Sequence, residues 1–203
     1  MGFYTPSQLV QDAVRHNITI LPVDILESDW ESTLEGQAYD NGDNDKTHAA
    51  TFGARQPAIR LGFQRIKGLR EATALRIIQA RTICQHQNTN AFNSLENIAR
   101  AVHLDRGDLA RLTEGGAFKR LTGHRYQTHW EAKGLLPANT PMEMIAEQED
   151  TYLPAPAESD DLRADYQSLR LTLGRHPMAM LREAGEPFSK LKRACDLEPL
   201  NHG

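Results

Sequence analysis

Cysteine is scarce in this chain: Cys84 and Cys195 are the only two among 203 residues, far apart and in no pattern. That excludes a disulfide framework or a cysteine-rich metal site and reads as two reduced thiols in a cytosolic protein. Aromatic residues make up only 6%, too little ring surface for base stacking to dominate recognition of a nucleic acid. No apolar run approaches the ~18 residues that span a membrane, and the first residues lack the basic-then-apolar pattern of a secretory signal. The eight histidines are scattered, and His124 and His129 miss the i, i+4 relation of a helical metal pair. No carboxylate pair, nucleophile–base set or Walker loop stands out, which argues against a self-contained enzyme. What is present is 39% apolar residues, enough for a core in one or two domains, and a net charge of −4.

The charge is unevenly spread. Between Gly53 and Cys84, seven basic residues (Arg55, Arg60, Arg65, Lys67, Arg70, Arg76, Arg81) face one acid, Glu71. Inside that stretch, Ile59 to Ile78 fits the pattern of a helix-hairpin-helix. Ile66, Gly68, Leu69, Ala74, Ile77 and Ile78 stand where the motif takes hydrophobic, glycine, hydrophobic, small and paired hydrophobic residues. Gly68 permits a positive φ in the turn and the close approach of a phosphate. The amides that follow open a helix, so unpaired N–H groups and the positive end of the dipole face the same anion. An ordinary αα-hairpin with a glycine turn meets the same pattern; the local excess of positive charge favours backbone binding. The expected contacts are Arg65, Ile66, Lys67, Gly68, Leu69, Arg70 and Arg76, with no reading of base edges.

Punctuation organises the rest. Thr5-Pro6 starts a helix whose apolar face is Leu9, Val10, Ala13 and Val14, ending by Asn17. Ile18 to Val23 reads as a strand, with Thr33 to Glu35 and Ile59 to Leu61 as short extended segments able to pair with it. Gly36 to Gly53 reads as a mobile loop, and the acids of Asp24 to Lys46 as a solvated patch. Asn93-Ser94-Leu95-Glu96 has capping-box spacing ahead of Leu95, Ile98, Ala99 and Val102. The turn His103-Leu104-Asp105-Arg106 leads to a helix capped by Asp105, with Leu109 and Leu112 inward and Gly115-Gly116 as its stop. This is a second, degenerate hairpin without a turn glycine, a secondary candidate for backbone binding at His103, Leu104, Asp105 and Arg106. A helix from Gly123 to Lys133 is expected to cover the pair through Tyr126 and Trp130. Pro137 to Pro156 has linker composition, Glu143 to Asp165 carries a net −7, and helical pieces follow at Leu162 to Leu171 and Met178 to Ala184.

Several runs carry a family likeness. Gly2 to Ala13, Leu21-Pro22-Val23-Asp24-Ile25 and Ser28-Asp29-Trp30 resemble the family C bacterial DNA polymerases, as do Arg60-Leu61-Gly62, Ile66 to Leu69, Gly115 to Phe118 and Leu173-Gly174-Arg175-His176-Pro177. Thr5 to Ala13, the Ser28-Asp29-Trp30 run and Thr172 to Pro177 place it nearer the error-prone, DnaE-type subgroup, also called ImuC, than the replicative polymerase III α subunit. Arg70 stands in place of the motif's usual second glycine.

The resemblance implies a fragment of a much longer nucleotidyltransferase. Residues 1–56 would end the fingers, 57–135 form the tandem helix-hairpin-helix domain, and 136–203 lead toward an absent OB-fold domain. The implied fold is mainly α with a small antiparallel β element. The palm aspartates that hold catalytic Mg²⁺ would lie outside this piece, so no catalytic residue, metal ligand or cofactor is expected within it. The implied role is non-sequence-specific binding of duplex or primer-template DNA for an error-prone translesion polymerase. Its setting would be the bacterial cytoplasm, at the nucleoid and with no membrane contact; its partners would be ImuB, ImuA and the sliding clamp. The alternatives are a module that docks the polymerase to those accessory proteins, or the matching piece of the replicative subunit.

Overall fold

The computed structural model describes residues 3–36, 57–87, 91–135 and 152–192. Most of the expected loop from Gly36 to Gly53, with Arg55, most of the Pro137 to Pro156 linker, and Cys195 lie outside the described residues.

Helix α1 (Pro6–Arg15) begins with a full capping box between Thr5 and Gln8, as the Thr-Pro start predicts. Its apolar face is only partly covered: Val10 packs on the core, but Leu9 and Val14 are more than half exposed. Strands β1 (Ile20–Leu21), β2 (Thr33–Glu35) and β3 (Ala58–Arg60) form one sheet in the order β1-β3-β2. The mainly α class holds, while the sheet is mixed rather than antiparallel throughout. β3 runs antiparallel to β2, with Leu34 opposite Ile59, and parallel to β1, with Ile20 opposite Ile59. Nor does β2 pair with β1, because β3 inserts between them. Arg60 ties both neighbours to the central strand: Nε and one terminal nitrogen donate to the two Glu35 carboxylate oxygens at 2.6 and 2.9 Å. The other terminal nitrogen reaches the Pro22 carbonyl at 3.1 Å.

Directly after β3, the chain crosses the backbone of residues 30–32. A Cβ on Gly62 would sit 2.3 Å from the Glu31 carbonyl carbon and 2.5 Å from the Trp30 oxygen. Backbone cannot yield as a side chain can, so Gly62→Ala is expected to destabilise by about 2–3 kcal/mol, at the upper end of ordinary overpacking. A urea unfolding midpoint equal to the parent's would show that the crossing relaxes.

A 3₁₀ turn (Phe63–Arg65) and helix α2 (Glu71–His86) form the first hairpin. Helices α3 (Leu95–Val102) and α4 (Arg106–Glu114) form the second, closed by α5 (Lys119–Thr122) and α6 (Arg125–Gly134). The α3 cap is Ser94, whose hydroxyl accepts the Asn97 amide, so the capping register is one residue later than Asn93. Leu95, Ile98, Val102, Leu109 and Leu112 are buried, as their spacing predicts. The opposite face of α6 from the expected one packs inward: Arg125, Thr128 and Ala132 are buried, while Tyr126 is 41% and Trp130 53% exposed. The polar face wins because Arg125 has bonding partners waiting beneath it, whereas tyrosine and tryptophan tolerate the surface.

Helix α7 (Glu158–Ser168) begins four residues earlier than expected and is docked rather than loose. Its Asp161 and Asp165 bind the buried Arg125, and Asp161 also binds Lys119 at 3.0 Å. Helix α8 (Pro177–Glu183) takes His176 as its cap; Met178 and Met180 are half-buried and Leu181 exposed. Four of the five acids from Asp24 to Glu35 are drawn into ion pairs instead of forming a solvated patch, while Glu31 is exposed. Asp24 and Glu27 bind Arg120, Asp29 binds Arg81 and Glu35 binds Arg60, joining segments 25 to 96 residues apart. One apolar cluster runs from Val23 through the two hairpins to Leu171.

Candidate nucleic-acid interface

The turn between the 3₁₀ segment and α2 is built by local bonds. The Ile66 amide donates to the Phe63 carbonyl at 2.9 Å, and the Leu69 amide to the Ile66 carbonyl at 3.2 Å. Ile66 and Leu69 are buried, Ala74 and Ile77 fully so, while Gly68 is exposed at φ +77°. That conformation favours glycine because it has no Cβ to meet the following backbone. Arg70 takes the cap position at φ −84°, ψ 139°, extended backbone open to any residue, and gives no side-chain cap. Here arginine replaces the motif's second glycine without strain.

The amides of this segment divide into two sets. Ile66 and Leu69 are engaged in the turn, and the Lys67 amide donates 2.8 Å to the Ser168 carbonyl at the end of α7. Thr73 and Ala74 both donate to the Arg70 carbonyl. The amides of Gly68 and Arg70, with Glu71 and Ala72 in the first turn of α2, have no acceptor among the described residues. Within Ile66 to Arg70 only the Gly68 and Arg70 amides are therefore available to an anion, and the other two open α2 directly after them.

The basic residues also divide. Arg60 and Arg81 are bound to Glu35 and Asp29 and hold the fold together. Lys67 is exposed beside the turn, and Arg65 is half-buried with its Nε unpartnered among the described residues. Arg70 and Arg76 lean toward a carboxylate that the sequence reading did not single out, Asp108 of α4, which is fully buried. Its Oδ2 accepts the Thr73 hydroxyl at 2.6 Å and Arg70 at 2.8 Å, with Arg76 at 3.7 Å; its Oδ1 accepts Arg111 at 3.2 Å. Arg111 is the other residue missed. The one sign of it in the sequence is the i, i+3 spacing of Asp108 and Arg111, a common surface pair with nothing to mark it.

The second turn presents different chemistry. His103 adopts the left-handed conformation at φ +53°, filling the role of the missing glycine, and Leu104 is half-buried behind it. Asp105 caps α4 by accepting the Asp108 amide at 2.7 Å, and its second oxygen accepts Arg70 at 2.7 Å. The Asp108 amide, and then the Arg70 charge, hold the Asp105 carboxyl below the usual range. Arg106 is exposed at the first position of α4. Where the first turn offers bare amides, the second offers a carboxylate.

Two turns brought together this way, each leading into a helix over one shared core, are a tandem of hairpins. A family model described as the helix-hairpin-helix motif matches residues 17–128, more than half of the chain. The chain belongs to the helix-hairpin-helix family.

Beyond the family, this helix-hairpin-helix chain is similar to proteins named error-prone DNA polymerase. It is 41% identical over 184 residues to one from Burkholderia mallei, a match covering 91% of this chain and 15% of the relative. It is 40% identical over 184 residues to one from Bordetella parapertussis, covering 90% and 16%. It is 38% identical over 205 residues to one from Alkalilimnicola ehrlichii, covering all of this chain and 18% of the relative. The likeness read from the Thr5 to Ala13 and Thr172 to Pro177 runs is to this same group. The chain spans about one-sixth of the length of these relatives. Among the described residues, no helix is long and apolar enough to cross a membrane, and no three or more His, Cys, Asp or Glu side chains gather as a metal-binding group.

Proposed function

We propose that this chain is the DNA-backbone-binding part of an error-prone translesion polymerase and grips duplex or primer-template DNA at the Gly68 turn, without reading sequence. The observation that carries this reading is an exposed glycine at φ +77°, with its own amide and those of Arg70, Glu71 and Ala72 unengaged among the described residues, beside Lys67, Arg65, Arg70 and Arg76. Bare amides at a helix start with cations around them suit a phosphate and carry no base information. The polymerase activity, its role in damage-induced mutagenesis, and docking to ImuA, ImuB and the sliding clamp belong to the whole protein in this reading. So does catalytic Mg²⁺.

The test is a titration of duplex DNA against salt. Three or four neutralised phosphates give a log–log slope of roughly −3 to −4, and Lys67→Ala should make it shallower by about one. Gly68→Val forces a β-branched residue to positive φ, a strain of about 1–3 kcal/mol, and puts its Cβ 3.2 Å from the Arg111 Nε. It should also block the approach of the phosphate. A folded Gly68→Val chain that binds as the parent does would make the turn purely structural.

A further inference from the structure

The first hairpin does not bound the Gly68 turn alone. Arg111, from the helix of the second hairpin, lies across it: its Nε is 3.2 Å from the place a Cβ would take on Gly68. One of its terminal nitrogens lies 3.0 Å from the same position on Gly107. Two glycines, one in each hairpin, therefore leave room for one guanidinium. Arg111 has a single carboxylate partner among the described residues, Asp108, and 41% of its side chain is exposed. Three arginines (Arg70, Arg76 and Arg111) share that one buried carboxylate, and among the described residues the exposed Asp105 is the only other acid paired with any of them. The face is left with an excess of cation around the bare amides. An arginine held at one edge keeps its other N–H donors for a second anion, and its flat fork suits phosphate oxygens.

We infer that Arg111 is a side-chain ligand of the phosphate held at the Gly68 turn, contributed by the second hairpin. This rests on the phosphate-binding reading above. The second turn, His103 to Arg106, takes no phosphate of its own, because the Asp105 carboxylate already sits on the α4 amides. The two hairpins thus build one phosphate site between them, and the helix behind the second turn, rather than the turn, meets the DNA.

The test uses the full 203-residue chain and a mixed-sequence duplex, titrated across salt. Arg111→Met is expected to bind roughly tenfold more weakly, the loss of one charge-assisted bond, with a slope shallower by about one unit. Arg111→Lys should keep the slope and lose part of the affinity, since the charge stays but the fork is gone. Arg100→Met, at an exposed arginine of α3 paired with Glu96, should change neither, and Arg106→Met should lose less than Arg111→Met does. Should Arg111→Met fail to fold, the Arg111 Nε–H resonance of the parent chain must shift when duplex is added. Parent-like binding by folded Arg111→Met, or an unmoved Nε–H, overturns the inference; if Gly68→Val still loses binding, the turn itself stands. A loss confined to Arg106→Met would make the second turn a separate site and overturn it too. No duplex binding by the parent chain at low salt would sink both readings.

Discussion

Asp108→Ala is expected to cost about 3–5 kcal/mol, the usual penalty for breaking a buried ion pair from one side. That is a large share of the stability of a domain this size. The carboxylate is fully buried and gathers charge from both hairpins: Arg70 and Arg76 come from the first, Arg111 from the second. Without it, three guanidiniums crowd together, of which Arg70 alone keeps an acid, Asp105, among the described residues, and the buried Thr73 hydroxyl loses its acceptor. Asp108→Asn keeps the shape and can still accept from Thr73, so it should be milder, at about 1.5–3 kcal/mol for the lost charge-assisted bonds. Urea midpoints should rank parent, Asn, then Ala. An alanine variant within about 1 kcal/mol of the parent would mean that the arginines find solvent readily, and that packing alone joins the hairpins.

Arg125→Met should be of similar size, about 3–5 kcal/mol by the same reasoning, but with a different pattern. The Arg125 guanidinium is 5% exposed and donates to the Glu114 carbonyl at 3.0 Å, to the Asp161 carboxylate at 2.8 Å and to Asp165. It is the bolt between the hairpin domain and α7. Methionine keeps the packing of the stem and leaves two carboxylates facing it with less to bind. Hydrogen exchange should then show α7 losing protection while α3 and α4 keep theirs. Equal protection losses in α3, α4 and α7 would contradict this, because they would mark general unfolding instead of undocking. Acid should act in the same direction. Burial works against the Asp161 charge, but the bonds from Lys119 and Arg125 outweigh it and hold the carboxyl below its ordinary value. A depressed folded-state pKa gives stability that is complete above the unfolded value, about pH 4, and is lost as pH falls through the folded one. The docking of α7 also reaches the Gly68 turn, since Ser168 at its end accepts the Lys67 amide.

The sequence by itself determined whatever depends on neighbours within about one helical turn. Thr5 and Asp105 cap helices because a short polar side chain can reach an amide three residues on. Leu95, Ile98 and Val102 face inward because their spacing matches the helical period. Gly68 stands at positive φ because a tight turn there demands it, and that requirement can be read from one letter between two hydrophobes. Only the tertiary structure decided the pairings made across distance. β3 lies between β1 and β2, Asp24 and Glu27 find Arg120, and α6 turns Arg125 inward in place of Trp130. It alone brings Arg111 over Gly68 and Asp108 under Arg70. The physical reason is that charge acts without a local signature: an acid can pair with any of the chain's 23 basic residues. Which one it meets depends on how the helices stack, and the apolar faces that set the stacking specify burial, not partner.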